Sequence, residues 1–179
     1  MNPTRPLRAR YWKINQIVDR ILQENAVFDP PVPVERLVKK FGIEIREGDL
    51  GEVSGLLVRN SNALIIGINS QQSGARRRFT IAHEFGHYLL HEGISSHFDR
   101  DYRINFRSAE SSQATDVEEI EANYFSASLL MPKAFLDADD AIEALDSDAK
   151  VEKLAKRYRV SRHAMSLRLV NLYDQHRPF

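Results

Sequence analysis

No cysteine occurs among the 179 residues. That excludes disulfides and any thiolate metal site, so a metal bound by this chain must be held by His, Asp or Glu. Charge of one sign is also lacking. The 25 Lys and Arg balance the 25 Asp and Glu, so no global field draws the chain toward nucleic acid or a membrane. No segment reaches the roughly 18 consecutive apolar residues of a membrane span. Met1 to Arg10 is basic and contains proline, but no apolar stretch of a signal sequence follows it. The chain therefore reads as cytoplasmic. Internal repeats and low-complexity tracts are missing as well. The hydrophobic content of 42% is ordinary for a globular protein, and the length suffices for one core with a small appendage.

What charge there is lies unevenly. Asp137 to Asp148 holds six acids and no base, and Lys150 to Phe179 holds eight Lys or Arg against two acids. These neighbours either neutralise one another or leave a basic C-terminal face for a partner.

Apolar periodicity outlines the elements. Ile14, Ile17, Val18, Ile21 and Leu22 follow the i, i+3, i+4, i+7, i+8 rule of an amphipathic helix. Asp29-Pro30-Pro31-Val32-Pro33 breaks it. Val34 to Lys40 predicts a second helix with Gly42 as its C′ residue, and Ile43 to Ile45 begins a strand. Val53 to Val58 and Ala63 to Ile68 are β-rich, and Asn60-Ser61-Asn62 suits a hairpin turn. Ser73 is placed to cap a helix from about Ala75 to Glu92, with Gly93 as its stop. Ser95 to Asp116 is polar and aperiodic and reads as a long loop. A helix resumes near Val117 and ends at Met131, before Pro132. Two or three further helices complete the chain.

The third of these helices carries His83-Glu84-Phe85-Gly86-His87, an H-E-x-x-H box. Histidines four apart on a helix lie about 40° apart around its axis, so both imidazoles reach one ion. Glu84 sits beside them, placed to hold a water and take its proton. A zinc hydrolase needs three protein ligands and an open position. The third ligand is sought among Glu118, Glu119 and Glu121. Glu119 and Asn123 share a face, so Glu119 can bind the metal while Asn123 hydrogen-bonds a liganding histidine. Glu121 lies about 200° from Glu119 around the helix and cannot share that face. Glu118, about 100° away, stays open; Glu119 is preferred. Such carboxylates on their own would read as a solvated face.

Other candidates are weaker. Gly86 costs roughly 1 kcal/mol in a helix relative to alanine, which points to close approach by a second helix. His91 reads as a helix-end or supporting residue. His97 falls on the loop, and His163 and His176 in the basic tail. Arg76, Arg77 and Arg78 open the metal helix, where cations oppose its dipole; they either pair with acids elsewhere or are solvated. Tyr88, His97, Tyr102, Arg107 and Tyr124 are unranked candidates for stabilising an oxyanion. Substrate could add as a strand at a sheet edge. Ile65, Ile66, Gly67 and Ile68 are the candidate contacts, because their strand leads into the metal helix.

The stretch Arg78 to His91 is similar to the metal helix of the ImmA/IrrE family of metallopeptidases. Glu119-Ile120-Glu121-Ala122-Asn123-Tyr124-Phe125, followed by Leu129-Leu130-Met131-Pro132, resembles the family's second motif. Ser54-Gly55-Leu56-Leu57 and Ile65-Ile66-Gly67-Ile68-Asn69 resemble its hairpin. The likeness covers roughly residues 12 to 173. It implies a thermolysin-like gluzincin site holding one Zn2+ per chain, with His83, His87 and Glu119 as ligands and Glu84 as base. It also implies a protein substrate, a helix-turn-helix repressor encoded nearby, in mobile-element, phage, toxin–antitoxin or stress regulation. Ser126 departs from the usual alanine. Many relatives carry an N-terminal helix-turn-helix, for which there is no room before residue 12; that weighs against autonomous DNA binding.

Leu154 to Leu169 reads as helix, turn, helix, with Ser161 as the second cap and Arg159 where glycine is common. It resembles the family's C-terminal extension. A helical hairpin packed on the catalytic part is favoured, and DNA binding by a non-catalytic peptidase fold, or a toxin or antitoxin that works by binding alone, is the alternative. The expected fold is α+β: a small, mainly antiparallel sheet packed on the H-E-x-x-H helix. A zincin-like domain over 1–135 would carry N-terminal helices, and 136–179 would form the helical extension.

Overall fold

The computed structural model describes residues 8–59, 61, 63–91, 96–99 and 114–173. Helix α1 (Tyr11–Glu24) buries Ile14, Val18, Ile21 and Leu22, the stripe its periodicity marks. Helix α2 (Val34–Lys40) ends in a Schellman turn. Gly42 takes φ +76°, and its N–H donates to Lys39 O at 3.0 Å while that of Ile43 donates to Val38 O at 3.4 Å. A side chain at position 42 would have space but not the backbone angle.

Strands β1 (Glu44–Gly48), β2 (Gly55–Arg59), β3 (Leu64–Asn69) and β4 (Ser96–Asp99) form one sheet in the order β1-β3-β2-β4. The β2–β3 and β2–β4 pairs are antiparallel and β1–β3 is parallel. Register places Leu57 opposite Ile66 and Gly55 opposite Ile68. Leu57, Ile66 and Ile68 are buried, and an added Cβ on Gly55 would strike Thr80 of helix α3 (Gly74–Leu90). That face of the sheet therefore lies on α3.

Two expectations are corrected here. Residues 65–68 do not form a sheet edge: β1 and β2 hydrogen-bond to β3 on its two sides, so its backbone groups are already spent. A strand following directly into the metal helix is not thereby at the margin. Nor is 95–116 a loop throughout. β4 pairs with β2 within it, and helix α4 (Ala114–Leu130) begins earlier than 117. The turn around Asn60, the stop at Gly93, and Tyr102, Arg107 and His176 fall outside the described residues.

Helix α3 begins at Ser73, whose hydroxyl accepts from Arg76 N at 3.4 Å. It packs along α4 at a point where Gly86 meets Ala122. A Cβ on Gly86 would lie 3.2 Å from Ala122 Cα and 3.1 Å from Phe125 Cδ1. The glycine's cost in helix propensity is offset by this approach of two backbones. Helix α5 (Lys133–Ala138), a 3-10 turn (Ala141–Ala144), α6 (Asp148–Tyr158) and α7 (Arg162–Tyr173) follow. Ser161 caps α7 by accepting from Ala164 N at 3.1 Å, and Arg159 takes the left-handed turn at φ +53°. Met165, Leu169 and Tyr173 join one buried cluster with Phe125, Leu129 and Met131. Arg168, also buried, donates to Met131 O at 3.1 Å and lies over the Tyr124 ring. No helix among the described residues is long and apolar enough to cross a membrane.

Candidate metal centre

Helix α3 projects His83 and His87 toward α4, and both are wholly buried. Their Nε2 atoms stand 3.0 Å apart. Glu119 of α4 completes a triangle, with Oε2 at 3.3 Å from His83 Nε2 and Oε1 at 3.2 Å from His87 Nε2. These three residues form a group able to hold a metal ion. A tetrahedral ion with bonds of about 2.0–2.1 Å requires donor–donor edges of roughly 3.3 Å, and the triangle meets that size. The donor chemistry fits as well. His83 Nδ1 donates to Asn123 Oδ1 at 3.1 Å, which leaves the Nε2 lone pair directed at the triangle's centre. Two imidazoles and a carboxylate suit zinc. The Glu119 side chain is 36% exposed while both histidines are 0% exposed, so the centre is reached from solvent past the carboxylate.

Glu84 is fully buried on the next position of α3 and is no member of the triangle. Its Oε1 lies against the start of β2, 3.2 Å from where a Cβ on Gly55 would stand. Gly55 thus leaves space for the carboxylate between sheet and helix.

The other acids of α4 go elsewhere. Glu118 is buried outside the triangle. Glu121, fully buried, turns to the far side of His87. His87 Nδ1 meets His91 Nδ1 at 3.0 Å, and His91 Nε2 meets Glu121 Oε2 at 3.1 Å. Arg10 then closes the series. Its backbone N donates to Glu121 Oε1 at 2.7 Å, Nε to the same oxygen at 2.9 Å, and Nη2 to Oε2 at 2.7 Å. Nη2 also reaches Leu90 O at 3.2 Å. Burial pushes the Glu121 carboxyl up, but the hydrogen bonds from Arg10 and His91 and the guanidinium charge outweigh it and hold the pKa at about 2. The i, i+4 spacing of His87 and His91 is visible in the sequence. Arg10 carries no such signal, because its partner is 111 residues away.

Among the described residues, the triangle gathers His83, His87 and Glu119. Tyr88 lies beneath Arg59, which donates to its carbonyl at 2.6 Å. Tyr124 accepts from Asn15 at 3.1 Å and packs on Tyr11. His97 lies opposite Leu57 in the β2–β4 pair, and His163 is exposed on α7. Arg77 pairs with Glu47 and Arg78 with Glu35 and Val32 O, while Arg76 donates to Ser54 Oγ. Ser126 spends its hydroxyl on Ala122 O at 2.7 Å, so its departure from alanine adds no unmet polar group.

An α+β fold with a His-His-Glu group on two packed helices fits a metallopeptidase-type domain. The family profile described as peptidase M78, IrrE N-terminal-like domain, matches residues 38–170, and the chain belongs to this family. A solved Mycobacterium tuberculosis transcriptional regulator has a similar fold, with a TM-score of 0.59 over 93% of this chain at 20% identity. The chain covers 48% of that protein, about half its length. A sequence search of curated proteins finds no match.

Proposed function

We propose that this chain is a zinc-dependent endopeptidase that cleaves a protein, namely a DNA-binding repressor encoded nearby. The observation that carries the reading is the His83–His87–Glu119 triangle with Glu84 buried alongside. One zinc ion per chain would be held by His83 Nε2, His87 Nε2 and the Glu119 carboxylate, with Asn123 orienting His83. Zinc held there supplies Lewis acidity, which acidifies water and polarises a scissile carbonyl. The Glu84 carboxylate takes the proton of the attacking water and delivers it to the leaving amine. The burial of Glu84 and of both histidines limits bulk water at the reacting bond.

The substrate assignment rests on family membership and on the resemblance to a transcriptional regulator. Residues 1–135 would form the peptidase domain, 136–179 its helical extension, and the cytoplasm would be where it meets its substrate. Substrate entering as a strand would use a free margin of the described sheet, at β4 or β1, in place of β3. The test is incubation of the zinc-loaded protein with the repressor encoded beside it, with fragments identified by mass spectrometry. Cleavage at one bond that disappears in Glu84→Gln supports the reading. An intact repressor, or cleavage that survives Glu84→Gln, contradicts it.

A further inference from the structure

We propose that His91, Glu121 and Arg10 form a positioning relay that fixes the tautomer and ring orientation of His87. The proposal rests on the metal reading of the triangle. It assigns a function to three residues that do not touch the ion.

The inference follows the hydrogen atoms along the chain of contacts. Arg10 presents only donors, so Glu121 accepts at both oxygens. A carboxylate also accepts from a ring, so the His91 Nε2 at 3.1 Å from Glu121 Oε2 carries a proton. A neutral His91 with its proton on Nε2 has a bare lone pair on Nδ1. His87 Nδ1, 3.0 Å away, must then be the donor in the His87–His91 pair. A neutral His87 with its proton on Nδ1 keeps its Nε2 lone pair open, on the side facing His83 Nε2 and Glu119. The reverse tautomer would put a proton where the ion must sit. His83 has a direct orienting partner in Asn123. His87 Nδ1 meets His91, which in turn meets Glu121 of α4. The relay also ties the start of α1 to both metal helices, since Arg10 bonds Leu90 O as well as Glu121.

The test needs no substrate. His91→Asn places an amide oxygen where His91 Nδ1 stands and can still accept from His87, whereas His91→Leu cannot. Zinc affinity is read by competition with a chromophoric chelator, and folding by circular dichroism. His91→Leu should bind zinc roughly 10- to 100-fold more weakly, and His91→Asn should recover most of the loss. Equal affinity in the two variants, whether both weak or both like the parent, overturns the proposal. A second measurement holds even if His91→Leu does not fold. Nitrogen-15 NMR of the metal-free parent should show a proton on His87 Nδ1 and on His91 Nε2, and none on His91 Nδ1. A bare His87 Nδ1, or a proton on His91 Nδ1, overturns it. Failure of the parent to take up zinc would instead strike the metal reading, with the NMR result still deciding the relay.

Discussion

Glu84 and Glu119 bear the same functional group and are placed for different work. Glu119 meets both histidine Nε2 atoms at 3.2–3.3 Å and keeps a solvent-exposed side. Glu84 is buried beside them and lies against Gly55. Glu84→Gln should therefore retain zinc by metal analysis yet lower cleavage by about 10²–10⁴-fold. Loss of zinc in that variant would show that Glu84 is a ligand. Glu119→Ala should abolish tight zinc binding, while Glu118→Ala should leave it within a few-fold; equal effects would misassign the third ligand. The spacing arguments reach this far because ligands on a helix obey its 100° period. They separate Glu119 from Glu121 by face, but they cannot show what the opposite face meets. Arg10 was illegible for that reason: its role depends on a contact between the chain's first helix and its fourth.

At the scale of elements, two glycines set how closely the layers approach. Gly86 admits Ala122 of α4, and Gly55 admits Glu84 and Thr80 of α3. Gly86→Ala gains up to about 1 kcal/mol of helix propensity, yet its Cβ would press on the Ala122 backbone, which cannot turn aside. Overpacking of this kind costs about 1–3 kcal/mol. The variant should lose thermal stability and bind zinc more weakly, since Glu119 and Asn123 ride on the displaced helix. Unchanged zinc affinity together with a higher midpoint would contradict this packing account. Helices α1 to α4 and the β2–β3 hairpin were legible from period and turn residues. The parallel β1–β3 pairing was not, because partners far apart in sequence leave no local pattern. That pairing is what moved residues 65–68 from an expected edge to the interior of the sheet. β4 was missed because a four-residue strand in a polar stretch owes its form to β2 and not to its own composition.

In the whole molecule, the C-terminal helices and the metal helices share one core. The acidic and basic runs that stood out in the sequence are partly spent on one another: Arg157 on Asp139 at 2.8 Å, Arg162 on Asp148 at 2.7 Å and Lys150 on Glu143 at 2.9 Å. Arg168 is buried against Met131 and Tyr124 and cannot reach a phosphate. DNA affinity should accordingly be weak, without the steep salt dependence of several phosphate contacts; a steep slope in a fluorescence titration would favour the DNA-binding alternative. The metal should also stabilise the fold by mass action. At free zinc 100 times the dissociation constant the gain is about 2.7 kcal/mol, so a chelator should lower the midpoint by several degrees in the parent and hardly at all in Glu119→Ala.

The central claim is that two histidines of α3 and one glutamate of α4 hold a catalytic zinc. Metal content per chain, measured on protein purified without chelator or affinity metal and then titrated with zinc, tests it most directly. The account predicts one zinc per chain, lost in Glu119→Ala and kept in Glu84→Gln. A parent protein that neither contains zinc nor takes it up would contradict it.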